Sequence, residues 1–335
     1  MQHSGKDSFA PKLGRIYVEK AARNYGLTER ILARYPDATR VFIDSYKSVL
    51  NRPRQRYRLQ KQAPSIVLAK REPPYTFPLS SHCQDHGFKD ALAASPVLNC
   101  LFSCDYCYLQ GTYGSGHIFV FVNPDDFFDE IRELTEQRRG ESQPLSLSVS
   151  LETDLLALEK ETGLCASWIA FAESMGPRIV MELRTKSAAY DAISHLSPTE
   201  NTILAWSLVP ESIWKKYERG LPSPESRIKN ARRAARDGWP IRLCFDPVLL
   251  DRRRPGEYDR LFEYTFTRIQ PRTIESVSLG AFRMSEEQLA AMKRQRQDCD
   301  LLFDTPADEE ALGKLAKKLA SYVGKEKVFV WKMPS

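Results

Sequence analysis

Apolar residues along this chain follow two alternating rhythms. Short, nearly continuous runs at residues 145–151, 178–183, 202–207, 240–245 and 273–279 have the length of buried strands. Between them, residues 125–138, 165–175, 188–195, 223–237 and 258–269 repeat their apolar positions every three to four residues, as a helix with one buried face does. Two helix starts are punctuated: Asn123-Pro124 and Ser223-Pro224 each set a capping side chain before a proline, whose missing N–H costs nothing in a first turn. A final helix over 308–322 and a strand over 328–331 continue the series. Strands separated by helix-length connections pair in parallel, with the helices outside the sheet. An open doubly wound sheet and a full or partial barrel both satisfy that pattern.

The first 95 residues are less regular. They offer one helix over 21–34 and short apolar runs at 15–18, 40–43 and 65–68, of which the last reads best as a strand. Residues 72–94 are rich in prolines and turn formers and read as a connection. The expected organisation is an N-terminal extension over 1–95 and a main domain over 96–335 that ends in the last helix and strand.

Hydrophobic residues make up 42% and charged residues 27%, the composition of an ordinary globular protein and not of a membrane-dominated one. No stretch reaches the roughly 20 apolar residues needed to span a bilayer, and the first residues lack the apolar core of a secretory signal. A cytoplasmic protein without a membrane partner, its cysteines reduced, is the expectation. The net charge of +6 is uneven. Arg52, Arg54, Arg56, Arg58, Lys61, Lys70 and Arg71 follow one another without an acid, which suits either a phosphate backbone or a solvated basic face.

The chemistry is concentrated in one segment. Of seven cysteines, Cys100, Cys104 and Cys107 fall within eight residues, just beyond the apolar stretch 96–98, which is expected to be the first strand of the sheet. Loops at the C-terminal ends of parallel strands are where α/β proteins place their sites. A CxxxCxxC loop can curl so that three thiolates reach three irons of one [4Fe-4S] cubane, leaving the fourth iron open. A zinc site would have to draw on Cys83, His82 or His86, and three buried structural thiols in one loop are the remaining reading.

CxxxCxxC with an aromatic residue before the last cysteine resembles the signature of the radical S-adenosylmethionine superfamily. That resemblance implies a full or partial βα barrel, here a partial (βα)6-type barrel of parallel strands with outer helices. It also implies a [4Fe-4S] cluster whose open iron binds S-adenosyl-L-methionine, and an electron donor such as a flavodoxin or ferredoxin. The longer string from Cys104 to Gln110 resembles the spore photoproduct lyase family, which reverses a methylene-bridged thymine dimer in DNA. Residues 16–19, 56–71, 206–208, 227–240 and 282–283 resemble that family's segments in the same order. The resemblance implies that Thr153, Asp154, Lys186 and Ser207 contact S-adenosylmethionine, that Arg283 contacts the lesion, and that Tyr106 and Tyr108 help return a hydrogen atom. Nucleic acid or a nucleotide-like molecule is the implied substrate.

Two departures bear on the substrate. The family ends its second strand in a cysteine that quenches the product radical, whereas Leu151 stands there, with Cys244 and Cys165 as the remaining nearby thiols. The family's basic, aromatic hairpin is also missing between Cys299 and Pro306, where the chain runs directly toward an acidic helix start. Drawing a base out of a duplex costs a few kcal/mol, so this loss argues against duplex DNA. A radical enzyme for a peptide or metabolite and a non-catalytic cluster- or nucleic-acid-binding module are the two other readings.

Overall fold

The computed structural model describes residues 13–250, 256–295, 298–302 and 309–331. Strands β1 (Arg15–Glu19), β2 (Thr39–Ile43) and β3 (Ile66–Ala69) come first. They are followed by β4 (Thr76–Pro78), β5 (Ala91–Ala94), β6 (Val97–Leu98) and β7 (Ile118–Phe121). The remainder are β8 (Leu145–Ser148), β9 (Ile179–Thr185), β10 (Thr202–Ser207), β11 (Ile241–Val248), β12 (Ile274–Ala281) and β13 (Val328–Val330).

These strands form two sheets. The larger has eight strands in the order β13-β12-β11-β10-β9-β8-β5-β4. Every neighbouring pair in it is parallel except β4 with β5. It curls into a half-barrel with helices such as Pro124–Gln137, Leu164–Met175 and Pro224–Asp237 on its outside. This is the partial barrel that the resemblance implied and the alternating pattern allowed. Among the described residues, no helix is long and apolar enough to cross a membrane.

The smaller sheet corrects the reading of the N-terminal region as irregular. The runs near 15–18, 40–43 and 65–68 become β1, β2 and β3, and the sheet runs β2-β1-β3-β7-β6. Sheet membership therefore crosses residue 95. The stretch 96–98, expected to open the large sheet, is instead β6, which pairs antiparallel with β7 in the small one. The first parallel strand of the barrel is β5, which pairs with β8. Its sequence, Ala-Leu-Ala-Ala, carries no β-branched or aromatic side chain and so gives little strand signal. Proline at 96 restricts Ser95 before it and has no N–H for a ladder, so the chain turns there from one sheet to the other.

The helix expected over 188–195 is only a single 3-10 turn, Tyr190–Ala192. Its backbone donors are already engaged: Ala189 donates to Ser187 Oγ at 3.0 Å and Tyr190 to Asn230 Oδ1 at 3.3 Å. Small polar side chains here compete with the helical ladder. Helices Glu211–Tyr217 and Glu286–Gln295 were not foreseen.

Outside the barrel, Trp168 is fully buried among aromatic rings. Its ring centroid lies 6.1 Å from Phe127, 5.0 Å from Phe128 and 6.1 Å from Phe171, with near-perpendicular edge contacts. Helices Pro124–Gln137 and Leu164–Met175 lock to each other through this group. Trp168→Ala is expected to lower unfolding stability by about 3–5 kcal/mol, measured by urea denaturation followed by far-ultraviolet circular dichroism; a loss within experimental error would show that this group is not what joins the two helices.

Candidate active site

The cysteine loop starts where β6 leaves the small sheet. Asn99 takes a left-handed conformation, φ 70°, which asparagine tolerates better than most residues. Its side chain holds the loop from three directions. Oδ1 accepts from the Tyr57 hydroxyl at 2.8 Å, and Nδ2 donates to the carbonyls of Ser115 at 2.7 Å and His117 at 3.0 Å. Lys61 Nζ donates to the Cys100 carbonyl, and Gln110 Nε2 to the Cys104 carbonyl at 2.7 Å. At Gly116 the chain passes so close to helix Tyr57–Gln62 that a Cβ would lie 2.5 Å from the Tyr57 carbonyl oxygen.

The basic run is thereby divided. Tyr57 and Lys61 are buried under the loop, whereas Arg52, Arg54, Arg56 and Arg58 are exposed. Arg58 pairs across 3.4 Å with Asp298, itself exposed. Part of the run is thus architecture for the cysteine loop.

Cys100, Cys104 and Cys107 line one cavity of ≈ 250 Å³ at the C-terminal ends of the barrel strands. Thr153 and Asp154 beyond β8, Lys186 beyond β9, Ser207 ending β10, Arg283 beyond β12, and both Tyr106 and Tyr108 line it too. The residues assigned from the sequence to cluster, cofactor and catalysis are therefore brought together. Burial pushes the Cys104 thiol up to about 12, with Lys186 opposing it, and raises the thiols of Cys100 and Cys107 as well. Neutral thiols ligate poorly, but a bound metal displaces their protons. The lysines beside them suit the negative charge that would follow: Lys186 Nζ lies 3.5 Å from Cys104 Sγ. Among the described residues no three His, Cys, Asp or Glu side chains converge as a single ion requires. A zinc site built on Cys83 and His86 therefore lacks its ligand set. A cubane, which takes its thiolates on separate irons, does not need that convergence.

The opposite wall is largely pre-tied. Asp154 Oδ1 accepts from the Ala157 amide at 3.0 Å and the Thr185 hydroxyl at 2.7 Å, while Oδ2 accepts from the Lys186 amide at 2.7 Å. The carboxylate thus fastens the loop after β8 to the end of β9. The Thr153 hydroxyl beside it is buried and has no partner among the described residues. A buried unsatisfied hydroxyl costs about 1–3 kcal/mol, so a polar ligand here would relieve it. With three thiols on one wall and an unanswered hydroxyl on the other, the donor set fits a cluster together with a small polar cofactor.

Lys186 is also engaged within the protein. Its Nζ lies 2.9 Å from the Tyr106 hydroxyl and 3.1 Å from Glu218 Oε1. Arg227 meets the other oxygen of Glu218 at 2.5 Å and donates to the Ser207 carbonyl at 3.1 Å. Glu218 and Arg227 are both 0% exposed.

The family model for spore photoproduct lyase matches residues 9–322. This chain belongs to the spore photoproduct lyase family. It is 23% identical to the spore photoproduct lyase of Bacillus subtilis (strain 168) over 264 residues, covering 77% of this chain and 73% of that one. It is 24% identical to that of Geobacillus sp. (strain Y412MC61) over 261 residues, with 72% and 68% covered. A solved spore photoproduct lyase variant with bound AdoMet and dinucleoside spore photoproduct has the same fold, with TM-score 0.78 at 18% identity, covering 96% of this chain and 99% of that one.

Within this family frame, Leu151 lines the cavity, and its carbonyl accepts from the Tyr108 hydroxyl at 2.7 Å. Cys244 and Cys165, the thiols considered as stand-ins, are fully buried and do not line the cavity; Cys83 does. Arg283 is held by its own surroundings. It grips Asp246 through both oxygens, at 2.8 and 2.9 Å, donates to the His82 carbonyl at 2.7 Å, and lies over the Trp331 ring. The missing hairpin falls partly outside the described residues, which end at Leu302 and resume at Glu309; the described part holds a 3-10 turn, Asp300–Leu302.

Sequence reasoning missed a chain of alternating charges on the barrel interior. Arg242 joins Glu275 at 3.1 Å to Glu182 at 2.5 Å, Glu182 meets Arg184 at 3.0 Å, and Arg184 lies 4.0 Å from Asp246, the partner of Arg283. The signal was present in Glu182 and Arg184, two charges at alternate positions of an otherwise apolar strand. Glu218 gave no comparable signal, because it follows a helix that was itself not foreseen.

Burial opposes ionisation of Glu218, yet Lys186 and Arg227 overcome it and hold the carboxyl at about 2, below its usual 4.5. A depressed carboxyl contributes stability that is complete above the unfolded value and is lost as pH falls through the folded one. Glu218→Gln strands two buried cations, so it is expected to cost about 3–5 kcal/mol near neutral pH. Urea denaturation of the metal-free protein from pH 7 downward measures this. The gap between wild type and variant should close between pH 4.5 and about 2, and a gap constant with pH would contradict the ionised Glu218.

Proposed function

We propose that this chain is a radical S-adenosylmethionine lyase that splits a methylene-bridged thymine photoproduct. The observation that carries the reading is the placement of Cys100, Cys104 and Cys107 on the same cavity as Thr153, Asp154, Lys186 and Ser207, in a chain of this family. Bound together, the cluster and S-adenosylmethionine supply a carbon-centred radical able to remove a hydrogen atom from a substrate.

The chain's own residues have separable tasks. Cys100, Cys104 and Cys107 hold the cluster, and Lys61 and Lys186 offset the charge of their thiolates. Thr153 offers the cofactor an unused hydroxyl, and Ser207 a second one at the end of β10. Asp154 acts as a positioning residue, because its oxygens are already taken by Ala157, Thr185 and Lys186. Tyr106 and Tyr108 flank Cys107, anchored to Glu218 and to the Leu151 carbonyl. Leu79, Leu92, Phe102, Leu151 and Phe282 give the cavity apolar surface against which a pyrimidine pair can pack while water is excluded. Arg184 places a partly exposed guanidinium on the same wall, suited to the polar edge of a nucleotide, while its neighbours Arg242 and Arg283 are taken up by protein partners. Cys83, Cys100, Cys104, Cys107, Cys165 and Cys244 form no disulfide, which favours a reducing compartment, so we place the enzyme in the cytoplasm, supplied with electrons by a flavodoxin or ferredoxin.

The test is anaerobic. Cluster-reconstituted protein is given S-adenosylmethionine and a strong reductant, with and without an oligonucleotide carrying the thymine photoproduct, and both 5′-deoxyadenosine and thymine are measured. The lesion is expected to raise 5′-deoxyadenosine formation and to be converted to thymines, and Cys104→Ala to abolish both. Cofactor cleavage indifferent to the lesion would leave the radical chemistry standing and remove the photoproduct assignment.

A further inference from the structure

Splitting a methylene-bridged thymine pair into two thymines is an isomerisation, and its hydrogen count has to close. When a hydrogen atom leaves the saturated ring carbon and the bridge breaks, one base becomes a closed-shell thymine. The other keeps an unpaired electron on its methylene carbon, which must gain one hydrogen atom to become a methyl group. Leu151, at the end of the second barrel strand, offers only strong aliphatic C–H bonds.

The structure sorts the seven cysteines. Three belong to the cluster motif. Cys165, Cys244 and Cys299 are buried, and none of them lines the cavity. Cys83 is half-buried and lines it, on the loop between β4 and β5. That loop is fixed at several points. The Cys83 amide donates to the Ser80 carbonyl at 2.8 Å, Arg283 Nε to the His82 carbonyl at 2.7 Å, and Trp331 Nε1 to the Ser81 carbonyl at 3.0 Å.

An independent feature of the same loop points to a ligand. His86 is buried, and burial lowers its ring to about 3, so it is neutral at physiological pH. Its Nδ1 lies 3.0 Å from Arg242 Nη1. A guanidinium only donates, so Nδ1 is the acceptor and the ring proton sits on Nε2. That nitrogen is buried, belongs to a residue lining the cavity, and has no partner among the described residues. A pyrimidine carbonyl oxygen is an acceptor of the kind it lacks.

We infer that Cys83 is the hydrogen-atom donor that quenches the product radical, in place of a thiol at position 151. The inference rests on the photoproduct reading. In the step, the Cys83 S–H bond breaks homolytically and a C–H bond forms on the methylene carbon, giving the thymine methyl group. The product radical is reduced, and the unpaired electron passes to sulfur. One electron from the low-potential donor that the cluster already requires, with one proton from solvent, returns the sulfur to the thiol.

Reconstituted holoenzyme is assayed in deuterium oxide, where a thiol exchanges its proton. Wild type is expected to give thymine with one deuterium in a methyl group. Cys83→Ala should lower the ratio of thymine to 5′-deoxyadenosine at least about tenfold and lose the deuterium, and adding Leu151→Cys to that variant should restore both. Thymine formed by Cys83→Ala at the wild-type ratio, with deuterium, would overturn the assignment, as would wild-type thymine without deuterium. A variant that fails to fold does not leave the matter open. In the wild-type protein, alkylation of Cys83 by iodoacetamide, mapped by mass spectrometry, should slow when the dinucleoside photoproduct is added, and an unchanged rate counts against the donor. Failure of the photoproduct reading is distinguishable, since wild type would then form no thymine at all.

Discussion

The site depends on the turn at Ser95–Pro96. Because β5 belongs to the barrel and β6 to the small sheet, the cysteine loop leaves the seam between them and must be held from both sides. Asn99 and Lys61 hold it from the N-terminal side, and Lys186 and Glu218 from the barrel side. Single hydrogen bonds contribute only about 0.5–1.5 kcal/mol each. Their value here lies in agreement: each constrains the same loop from a different element, so its sulfurs are placed before any metal arrives. The N-terminal sheet thus serves as one jaw of the cluster site.

Charge completes the arrangement. Alternating acids and bases run from Glu275, exposed at the start of β12, through Arg242, Glu182 and Arg184 to Asp246 and Arg283. Well-packed apolar residues would often serve stability as well or better, since desolvating ions is costly. What the ladder provides is a cavity whose dipoles and charges are already oriented, with little left to reorganise during reaction. The cost is limited because each buried ion has an opposite neighbour and few polar atoms go unanswered. Two that do, on Thr153 and His86, belong to cavity-lining residues.

The barrel was legible in the sequence because its strands are short and mostly apolar; β10, buried on both faces, coincides with its expected limits, Thr202–Ser207. The motif cysteines and strand-end polar residues were legible because spacing and position along an α/β unit constrain them. The small sheet was harder. Its strands β1 and β2 are each five residues of mixed polarity, β2 at the sheet edge, and their partners come from distant segments, which local periodicity does not register. Glu218 and Arg227 escaped for the same reason: a buried ion pair is defined by what it faces across the fold. Cys83 was seen only as a zinc candidate, because nothing in a proline- and turn-rich stretch says that it folds back over a cavity.

That fold-back gives Arg283 a structural meaning. Its guanidinium spans the barrel and the loop, gripping Asp246 on β11 while Nε holds the His82 carbonyl and the group rests on Trp331 beyond β13. Five donors in a rigid plane let one side chain make all these contacts, which a lysine could not. The residue after the sixth strand therefore governs where the 79–88 loop sits, and with it the placement of Cys83 and His86. Position 151 works differently: what the structure uses there is the carbonyl that receives Tyr108, which any side chain leaves in place. A leucine at 151 is compatible with the architecture for that reason. The thiol that this strand end lacks is supplied instead by a loop whose backbone is braced by Arg283 and Trp331.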